Sequence, residues 1–338
     1  MNKDNVAKFK DLISSSKKVL IVQAENPDAD SLASSIALEQ LLTILNIETH
    51  LYCAVNMPSY LKYVSGWDRV SSDFIIDFDL TIFVDVSTTT LLKKISDLNF
   101  LPKIKLKPSI VIDHHTIVNN NIDFAELSIV LGEKSSTGQV IYELVKEIGW
   151  QTNELFLESV LISILGDTQG LSNQLTTPEV YRIVADIIES GVDRFSVEQR
   201  RKEHGSMPVV IFKYKAELIT RTLLINKDTI GLLILNQDDI NNYSQLYNQV
   251  PLMHSEILQI SNMRVSLIIK SYSDGHITGS IRSNNNSPIA ALLANKFDGG
   301  GHKNASGFNT IPTNFDDFIT DLVLKTTELL DNIDNETI

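Results

Sequence analysis

The sequence lacks several features of exported or membrane-bound proteins. Its 338 residues include one cysteine, Cys53, so no internal disulfide can form, which fits a reducing compartment. No apolar run approaches the length needed to cross a bilayer. The N-terminal segment, 1–18, is polar and mixed in charge and has no apolar core of a secretory signal. We therefore expect a cytoplasmic protein that does not contact a membrane.

Positive charge is also scarce. The formal net charge is −13, while the apolar fraction of 43% and the charged fraction of 21% are ordinary for a globular protein. Non-specific binding of duplex nucleic acid depends on neutralisation of phosphates by Lys and Arg, so the charge argues against a long duplex as partner. Short anionic ligands are not excluded, because a few local cations or a metal ion can hold them.

The first half of the chain alternates strand-like and helix-like patterns. Short apolar runs, nearly continuous in the first, third and fourth cases, predict strands at 17–24, 48–55, 79–86 and 108–115. Helical patterns predict helices at 30–46, 136–149, 153–165 and 178–190. Continuous apolar strands are typical of a parallel sheet that is covered on both faces.

The second half has a different pattern. After the polar stretch 194–208, hairpin strands are predicted within 221–235 and 263–283, followed by helices at 288–297 and 314–331. We predict an α/β fold in which a mostly parallel-sheet domain, 1–193, is joined by a linker helix, 194–212, to a smaller α+β domain, 213–338.

Acidic and imidazole side chains follow the predicted strands of the first half. These residues are Asp28 and Asp30 after the first strand, Asp85 at the end of the third, and Asp113, His114 and His115 at the end of the fourth. A further carboxylate, Asp167, follows a buried helix that we predict to break at Gly166. Ligands of open parallel sheets bind outside the carboxyl ends of the strands, so we expect these side chains to meet in one crevice.

Carboxylates so close together repel each other and raise each other's pKa unless a cation lies among them. Oxygen and imidazole ligands without thiolate suit Mn²⁺ or Mg²⁺, and two such ions about 3.5–4 Å apart can activate water and clamp a phosphate oxygen. The residues therefore suggest metal-dependent phosphoester hydrolysis. Taken alone, "NPDADS" is better interpreted as a helix cap and turn, so the hypothesis depends on the combination.

The same residues resemble the motifs of a known superfamily. "VIDHH" (111–115) resembles the motif that names the DHH phosphoesterases, and "NPDAD" (26–30), "FVDV" (83–86) and "GDT" (166–168) resemble the other motifs in the same order. "GGGHKNASGF" (299–308) is similar to the glycine-rich motif of the C-terminal domain of many such proteins. The size resembles the branch of nanoRNases and 3′-phosphoadenosine-5′-phosphate phosphatases.

The resemblance implies roles for individual residues. Asp28 and Asp85 would bind one metal ion, and Asp30, Asp85, His114 and Asp167 would bind the other. Asp113 would orient His114, His115 would face the substrate phosphate and assist the leaving group, and Ser136 of "STG" would contact the substrate. The resemblance also implies a Mn²⁺ cofactor, with one or two ions and Mg²⁺ as the other option, and a homodimer.

In the second domain, the glycine-rich motif suits a phosphate or nucleotide cradle. Gly300 and Gly301 allow close backbone approach and expose N–H donors, His302 can stack on a base, and Arg282 can pair with a phosphate. The simpler interpretation of the same run is a structural glycine turn before a strand.

One position departs from the superfamily. Most members begin the first motif with histidine, where this chain has Ala24. Three outcomes are open: one metal site is weak or empty, the neighbouring Glu25 or Gln23 supplies a ligand, or the protein is a binder with little hydrolytic power. The strand alternation makes Gln23 the poorer substitute.

We expect a phosphodiesterase of short oligoribonucleotides or of cyclic or linear dinucleotides, with 3′-phosphoadenosine-5′-phosphate as a further substrate. The alternative is a degenerate, non-catalytic nucleotide or nucleic-acid binding protein, which Ala24 keeps open. An inorganic pyrophosphatase of the same superfamily is a third interpretation, and "GGGHKNASG" argues against it because that branch resembles this chain only in its first domain.

Overall fold

The computed structural model describes residues 2–115, 122–244 and 246–336. The chain divides into two compact units, one ending at Ser206 and the other beginning at Met207. This division falls within the predicted linker, 194–212. The predicted mixed α/β fold class is confirmed, since a parallel sheet forms the first unit and a separate mixed sheet forms the second.

The first unit has a five-stranded parallel sheet of order β2-β1-β3-β4-β5. The strands are β1 (Lys18–Gln23), β2 (Glu48–Tyr52), β3 (Leu80–Val84), β4 (Ser109–Asp113) and β5 (Leu127–Val130). The helices are α1 (Lys3–Ser14), α2 (Ala29–Ile44), α3 (Lys93–Asp97), α4 (Leu101–Ile104), α5 (Thr137–Ile148), α6 (Glu154–Asp167), α7 (Pro178–Glu189) and α8 (Arg194–His204).

Both faces of this sheet are covered, as its continuous apolar strands predict. Along β1, Val19 and Ile21 pack in a large core with residues of α2, α5 and α6. Leu20 and Val22 belong to a second core on the opposite face, which also contains Phe83. The helices α2, α5 and α6 therefore lie on one face of the sheet, and their ends reach its carboxyl edge.

The second unit has a six-stranded mixed sheet of order β10-β11-β9-β8-β7-β6, in which only β7 and β8 are parallel. The strands are β6 (Leu223–Ile225), β7 (Ile230–Leu235), β8 (Val265–Ser271), β9 (Ile277–Ser283), β10 (Gly300–His302) and β11 (Ala305–Thr310). The helices are α9 (Val209–Arg221), α10 (Gln237–Tyr243), α11 (Gln249–Ile257), α12 (Ala290–Asn295) and α13 (Phe315–Glu336).

The predicted break at Gly166 is wrong, because α6 continues through Gly166 to Asp167. The glycine serves close packing instead. A Cβ atom at this position would lie 2.9 Å from the Cβ of Ala29 in the first turn of α2. Glycine thus lets α2 and α6 approach each other where both carry acidic residues of the candidate site.

Candidate functional site

Four segments meet at the carboxyl edge of the parallel sheet. Asp28 and Asp30 occupy the start of α2 after β1, and Asp85 directly follows β3. His114 follows β4, and Asp167 is the last residue of α6. These residues come together because the strands are parallel, so that their carboxyl ends share one edge, and because α6 ends at the same edge.

His114 is at the centre of this arrangement. Its Nε2 atom lies 2.9 Å from Asp167 Oδ2, 3.6 Å from Asp30 Oδ2 and 3.9 Å from Asp85 Oδ1. Within the described residues, Nε2 is buried and makes no hydrogen bond of good geometry despite the short approach of Asp167. Nδ1 lies 3.3 Å from the carbonyl oxygen of Lys134. If the proton is on Nδ1, then Nε2 is unprotonated, and its lone pair faces the carboxylates.

The acidic groups strongly affect each other's ionisation. Burial, followed by the charges of Asp30 and Asp28, raises the pKa of Asp85 well above its usual value. Burial and the charge of Asp30 raise the pKa of Asp167 to about 7. Burial opposes protonation of His114, but the carboxylates of Asp167 and Asp30 outweigh it and raise its pKa to about 9. A divalent cation would compensate this accumulation of buried charge.

Among the residues that the structure describes, two groups of side chains could hold a metal ion. Asp30, His114 and Asp167 form one, and Asp85, Asp113, His114 and His115 form the other, each with candidate ligand atoms within 4.8 Å of one another. The donors are carboxylate oxygens and imidazole nitrogens, which fit Mn²⁺ or Mg²⁺ better than a thiophilic metal. The buried, unsatisfied Nε2 of His114 shows that the residues present fit such an ion.

Asp85 is held in an unusual backbone conformation. Its φ of 57° lies in the left-handed region. For a residue other than glycine, this conformation costs free energy on the order of 1 kcal/mol. The conformation is fixed by its backbone N–H, which donates to the carbonyl of Ile112 at 2.9 Å. The hydroxyl of Thr137 donates to Asp85 Oδ1 at 3.0 Å. The carboxylate is thereby aimed at the edge of the sheet.

Asp113 organises the two histidines. Its Oδ1 accepts the backbone N–H groups of His114 at 2.7 Å and His115 at 2.9 Å, and also lies 2.8 Å from His115 Nδ1. Burial favours the neutral acid, but His115 outweighs it and lowers the pKa of Asp113. In return, this hydrogen bond raises the pKa of His115. The side chain of His115 is 45% exposed, so it can be reached from solvent.

The first motif is arranged differently from the rest. Asp28 is the N-cap of α2, and its carboxylate accepts the N–H of Ser31 at 2.9 Å. Burial and the charge of Asp30 raise its pKa, yet Asp28 belongs to neither of the two metal-binding groups. The cap interpretation and the metal interpretation of "NPDADS" thus apply to different residues: Asp28 caps the helix, and Asp30 faces His114.

The environments of Ala24 and its two neighbours do not favour a replacement ligand at this position. Ala24 is 4% exposed and packs in an apolar core. The carboxylate of Glu25 accepts the backbone N–H groups of Lys94 and Ile95 at the start of α3. Gln23 is fully buried at the end of β1, and within the described residues its amide atoms have no hydrogen-bond partner.

Ser136, the expected substrate contact, has a different environment in the structure. It is fully buried and is the N-cap of α5, where its hydroxyl accepts the N–H of Gln139 at 3.2 Å. It also lies 2.8 Å from the hydroxyl of Ser163. A substrate contact by Ser136 stays a prediction, and this burial does not favour it.

In the second unit, the glycine-rich run forms the hairpin β10–β11. Arg282 pairs with Ala305, which pairs with His302, so these three residues form a row across β9, β11 and β10. Directly opposed residues of antiparallel strands point to the same face, so the structure places Arg282 and His302 on one face. Burial lowers the pKa of Arg282, and within the described residues no carboxylate pairs with it.

The two glycines of the predicted cradle differ. Gly301 has a φ of 139°, and a Cβ there would lie 2.7 Å from the carbonyl oxygen of Ala305, so this position requires glycine. Gly300 is exposed, and a Cβ there would meet no described atom within 4 Å. Both glycines lie in strand β10 and not in a turn before a strand, so the simpler interpretation does not describe their backbone, and the exposure of Gly300 is compatible with the cradle.

Comparisons with known proteins agree with these observations. Residues 18–165 match the DHH family, N-terminal domain, and residues 247–326 match the DHHA1 domain. A probable bifunctional oligoribonuclease and PAP phosphatase NrnA from Streptococcus mutans is 26% identical over 293 residues, which are 86% of this chain and 89% of the relative. Bifunctional oligoribonuclease and PAP phosphatase NrnA from Bacillus subtilis is 22% identical, with coverage of 86% and 88%.

Among solved structures, an exopolyphosphatase-related protein from Bacteroides fragilis has the same fold, with a TM-score of 0.81 and 20% identity over 98% of this chain and 96% of that one. In the part of the chain that the structure describes, no helix has the length and apolar character of a membrane span.

Proposed function

The chain belongs to the nanoRNase-like branch of the DHH superfamily, and from this premise we propose that it is a metal-dependent phosphodiesterase of short oligoribonucleotides or dinucleotides. The relatives from S. mutans and B. subtilis are named as oligoribonucleases and PAP phosphatases, so 3′-phosphoadenosine-5′-phosphate is a further proposed substrate. The observation that carries the proposal is the buried Nε2 of His114, which faces Asp30, Asp85 and Asp167.

In this proposal, Asp30, Asp85, His114 and Asp167 hold a Mn²⁺ ion, for which Mg²⁺ is the other option. A bound divalent ion supplies positive charge to a phosphate oxygen and makes water a better nucleophile. The side chains contribute geometry: Thr137 orients Asp85, and the carbonyl of Lys134 orients His114. Asp28 would contribute to a second, weaker ion site beside Asp85, which would lack the ligand missing at Ala24.

His115 is the proposed proton donor to the leaving oxygen. Its Nδ1 is engaged with Asp113 at 2.8 Å, so Nε2 is the nitrogen that would transfer the proton. The same contact raises the pKa of His115, which keeps more of the imidazole protonated near neutral pH, as a general acid requires. Asp113 therefore acts through His115 and His114 rather than on the substrate.

Recognition of the rest of the substrate is proposed for the second unit. Arg282 and His302 share a face of its sheet, and the exposed glycine hairpin offers N–H donors. With a net charge of −13, the chain would hold a short anion at such local donors and reject a long duplex. We also propose a cytoplasmic homodimer, which fits the composition and the superfamily.

A binding protein with little hydrolytic power is the second candidate. The observation that favours it is the first motif, where Ala24 is apolar and Asp28 is used as a helix cap. A hydrolysis screen with Mn²⁺ separates the two candidates. It would compare pApA, a cyclic dinucleotide, a five-mer RNA and 3′-phosphoadenosine-5′-phosphate. The proposed enzyme predicts turnover of at least one of them, whereas tight binding of a dinucleotide without turnover of any would support the binder.

A further inference from the structure

Asp30 is surrounded by hydrogen-bond donors from its own helix and from two distant segments of the chain. Its Oδ1 accepts from the hydroxyls of Ser34 at 2.8 Å and Ser163 at 2.6 Å, and from the N–H of Gly138 at 3.3 Å. Its Oδ2 accepts from the N–H of Thr137 at 2.8 Å. All five residues belong to the buried junction of α2, α5 and α6, so this carboxylate has one fixed orientation.

The donors are distributed unequally between the two oxygens. Oδ1 receives three of them, which occupy its lone pairs. Oδ2 receives one and lies 3.6 Å from the buried Nε2 of His114. Oδ2 is therefore the oxygen of Asp30 that is directed at the candidate metal site, and the donors on Oδ1 prevent the carboxylate from rotating.

Ser163 connects this arrangement to the start of α5. It has a single hydroxyl proton, and a carboxylate that is surrounded by donors only accepts, so the proton of Ser163 is committed to Asp30. The N–H of Gly138 donates to Ser163 Oγ at 3.0 Å, and Ser163 Oγ also lies 2.8 Å from Ser136 Oγ. The hydroxyl of Ser163 is thus held by contacts with Asp30, Gly138 and Ser136.

The close approach of the helices depends on Gly138. A Cβ at this position would lie 2.2 Å from Ser163 Oγ and 2.6 Å from Ser163 Cβ. Glycine is thus the residue that lets the backbone of α5 reach both Ser163 and Asp30. This explains in physical terms why the segment "STG" (136–138) belongs to the site even though Ser136 is fully buried.

We infer that Ser163 is a positioning residue of the metal centre, which holds Asp30 so that it binds the ion through Oδ2 alone. The inference rests on the proposed metal-dependent function and adds a residue and a binding mode to it. Hydrogen-bonded partners of metal ligands fix ligand orientation, and their loss costs roughly 10–100-fold in metal affinity. Ser163 itself contacts neither the ion nor the substrate.

The chain contains a matched control on the same helix. Ser159 lies one turn earlier in α6, is equally buried, and its hydroxyl has no hydrogen-bond partner within the described residues. Ser163→Ala and Ser159→Ala therefore remove the same atom from the same helix, but only the first removes a donor to Asp30. A second pair lies on α2, where Ser34 donates to Asp30 and Ser35 donates to the carbonyl of Ser31.

The experiment is a calorimetric titration of the metal-free full chain with Mn²⁺, together with the visible absorption spectrum of the Co²⁺ form. We expect Ser163→Ala to weaken Mn²⁺ binding by roughly 10–100-fold and to change the Co²⁺ spectrum, while Ser159→Ala changes neither. If Ser163→Ala does not fold, Ser34→Ala against Ser35→Ala tests the same oxygen. Thermal unfolding verifies that each variant is folded.

The outcomes separate this inference from the function on which it rests. A wild-type chain that binds no Mn²⁺ contradicts the proposed metal centre as a whole. A wild-type chain that binds Mn²⁺, with Ser163→Ala and Ser34→Ala both within about twofold of it, overturns the positioning role alone. An equal loss of affinity in Ser159→Ala would also overturn it, because the effect would then come from packing in α6.

Discussion

His114 Nε2 and Asp167 Oδ2 lie 2.9 Å apart, although α5 and most of α6 separate the two residues in the sequence. The contact joins the carboxyl edge of the sheet to the end of a buried helix. It also places together two groups whose pKa values are both raised, since burial and the charge of Asp30 raise the pKa of Asp167 to about 7, while the carboxylates of Asp167 and Asp30 raise that of His114 to about 9. The proposed metal ion would stabilise this arrangement by compensating the buried carboxylate charge.

Asp167→Asn should remove one ligand of this shared ion with little change in shape. Loss of a residue that hydrogen-bonds to a metal ligand lowers metal affinity by roughly 10–100-fold. We expect loss of the ligand Asp167 itself to lower the Mn²⁺ affinity by at least that much. Equilibrium dialysis or calorimetry measures the effect. Asp186→Asn is the matched control, because Asp186 is a partly exposed carboxylate that pairs with Lys146. Unchanged affinity in Asp167→Asn would remove Asp167 from the ligand set.

His115→Ala should separate proton transfer from metal binding. If His115 is the general acid, kcat falls by roughly 10²- to 10⁴-fold, while the Mn²⁺ affinity stays within a few fold of the wild type. His50→Ala serves as control, since His50 bonds the carbonyl of Asp73 away from the site. A loss of Mn²⁺ binding in His115→Ala that is as large as the loss of kcat would instead make His115 a ligand.

Ala24→His tests the unusual first motif. A histidine at this position would add an imidazole beside Asp28 and Asp85, and we expect stronger binding of a second Mn²⁺ ion. Calorimetric titration gives the affinity and the stoichiometry. Ala24→Leu controls for the added bulk in the apolar core around Ala24. The same affinity and stoichiometry in Ala24→His and the wild type would contradict the assignment of this position to a metal site.

A buried histidine of the second unit makes stability depend on pH. His254 lies between the hydroxyls of Ser266 and Ser280, and burial, with the charge of Arg282, lowers its pKa to about 3. The unfolded chain takes up the proton near pH 6.5, so between pH 6.5 and 3 it binds more protons than the folded chain, and stability falls as the pH falls.

Between pH 7 and pH 5 this histidine should remove about 2 kcal/mol from the free energy of unfolding. Urea denaturation at the two pH values measures the difference, and His254→Gln should reduce it by that amount while other groups keep their share. An equal pH dependence in wild type and His254→Gln would show that His254 has the same pKa in the folded and the unfolded chain.

The sequence predicts the sheet and the position of the site because both depend on local patterns. Continuous apolar strands require cover on both faces, and parallel strands bring Asp28, Asp85 and His114 to one edge. The strand β5 is not predicted, because Leu127–Val130 is short and alternates between buried and exposed residues. The hairpin β10–β11 is not predicted either, because its glycines have low strand propensity.

The side chains that support the ligands could not be predicted from the sequence. Ser34 and Ser163 are small polar residues within apolar helices, and most such residues have no special role, as Ser159 illustrates. Their importance depends on the packing of α2 against α6, which brings them to the same oxygen of Asp30. Likewise, only the structure shows that the carboxylate of Glu25 accepts backbone N–H groups at the start of α3.

The most direct test is the hydrolysis of pApA by the full chain with Mn²⁺, compared with the Asp85→Asn variant. In the wild type, the carboxylate of Asp85 accepts a hydrogen bond from the hydroxyl of Thr137 and faces His114. We expect the wild type to hydrolyse pApA and to stop when EDTA removes the metal. We expect no turnover by Asp85→Asn, which should bind less Mn²⁺ but stay folded. Turnover that persists in Asp85→Asn or in EDTA would contradict the proposed metal-dependent function.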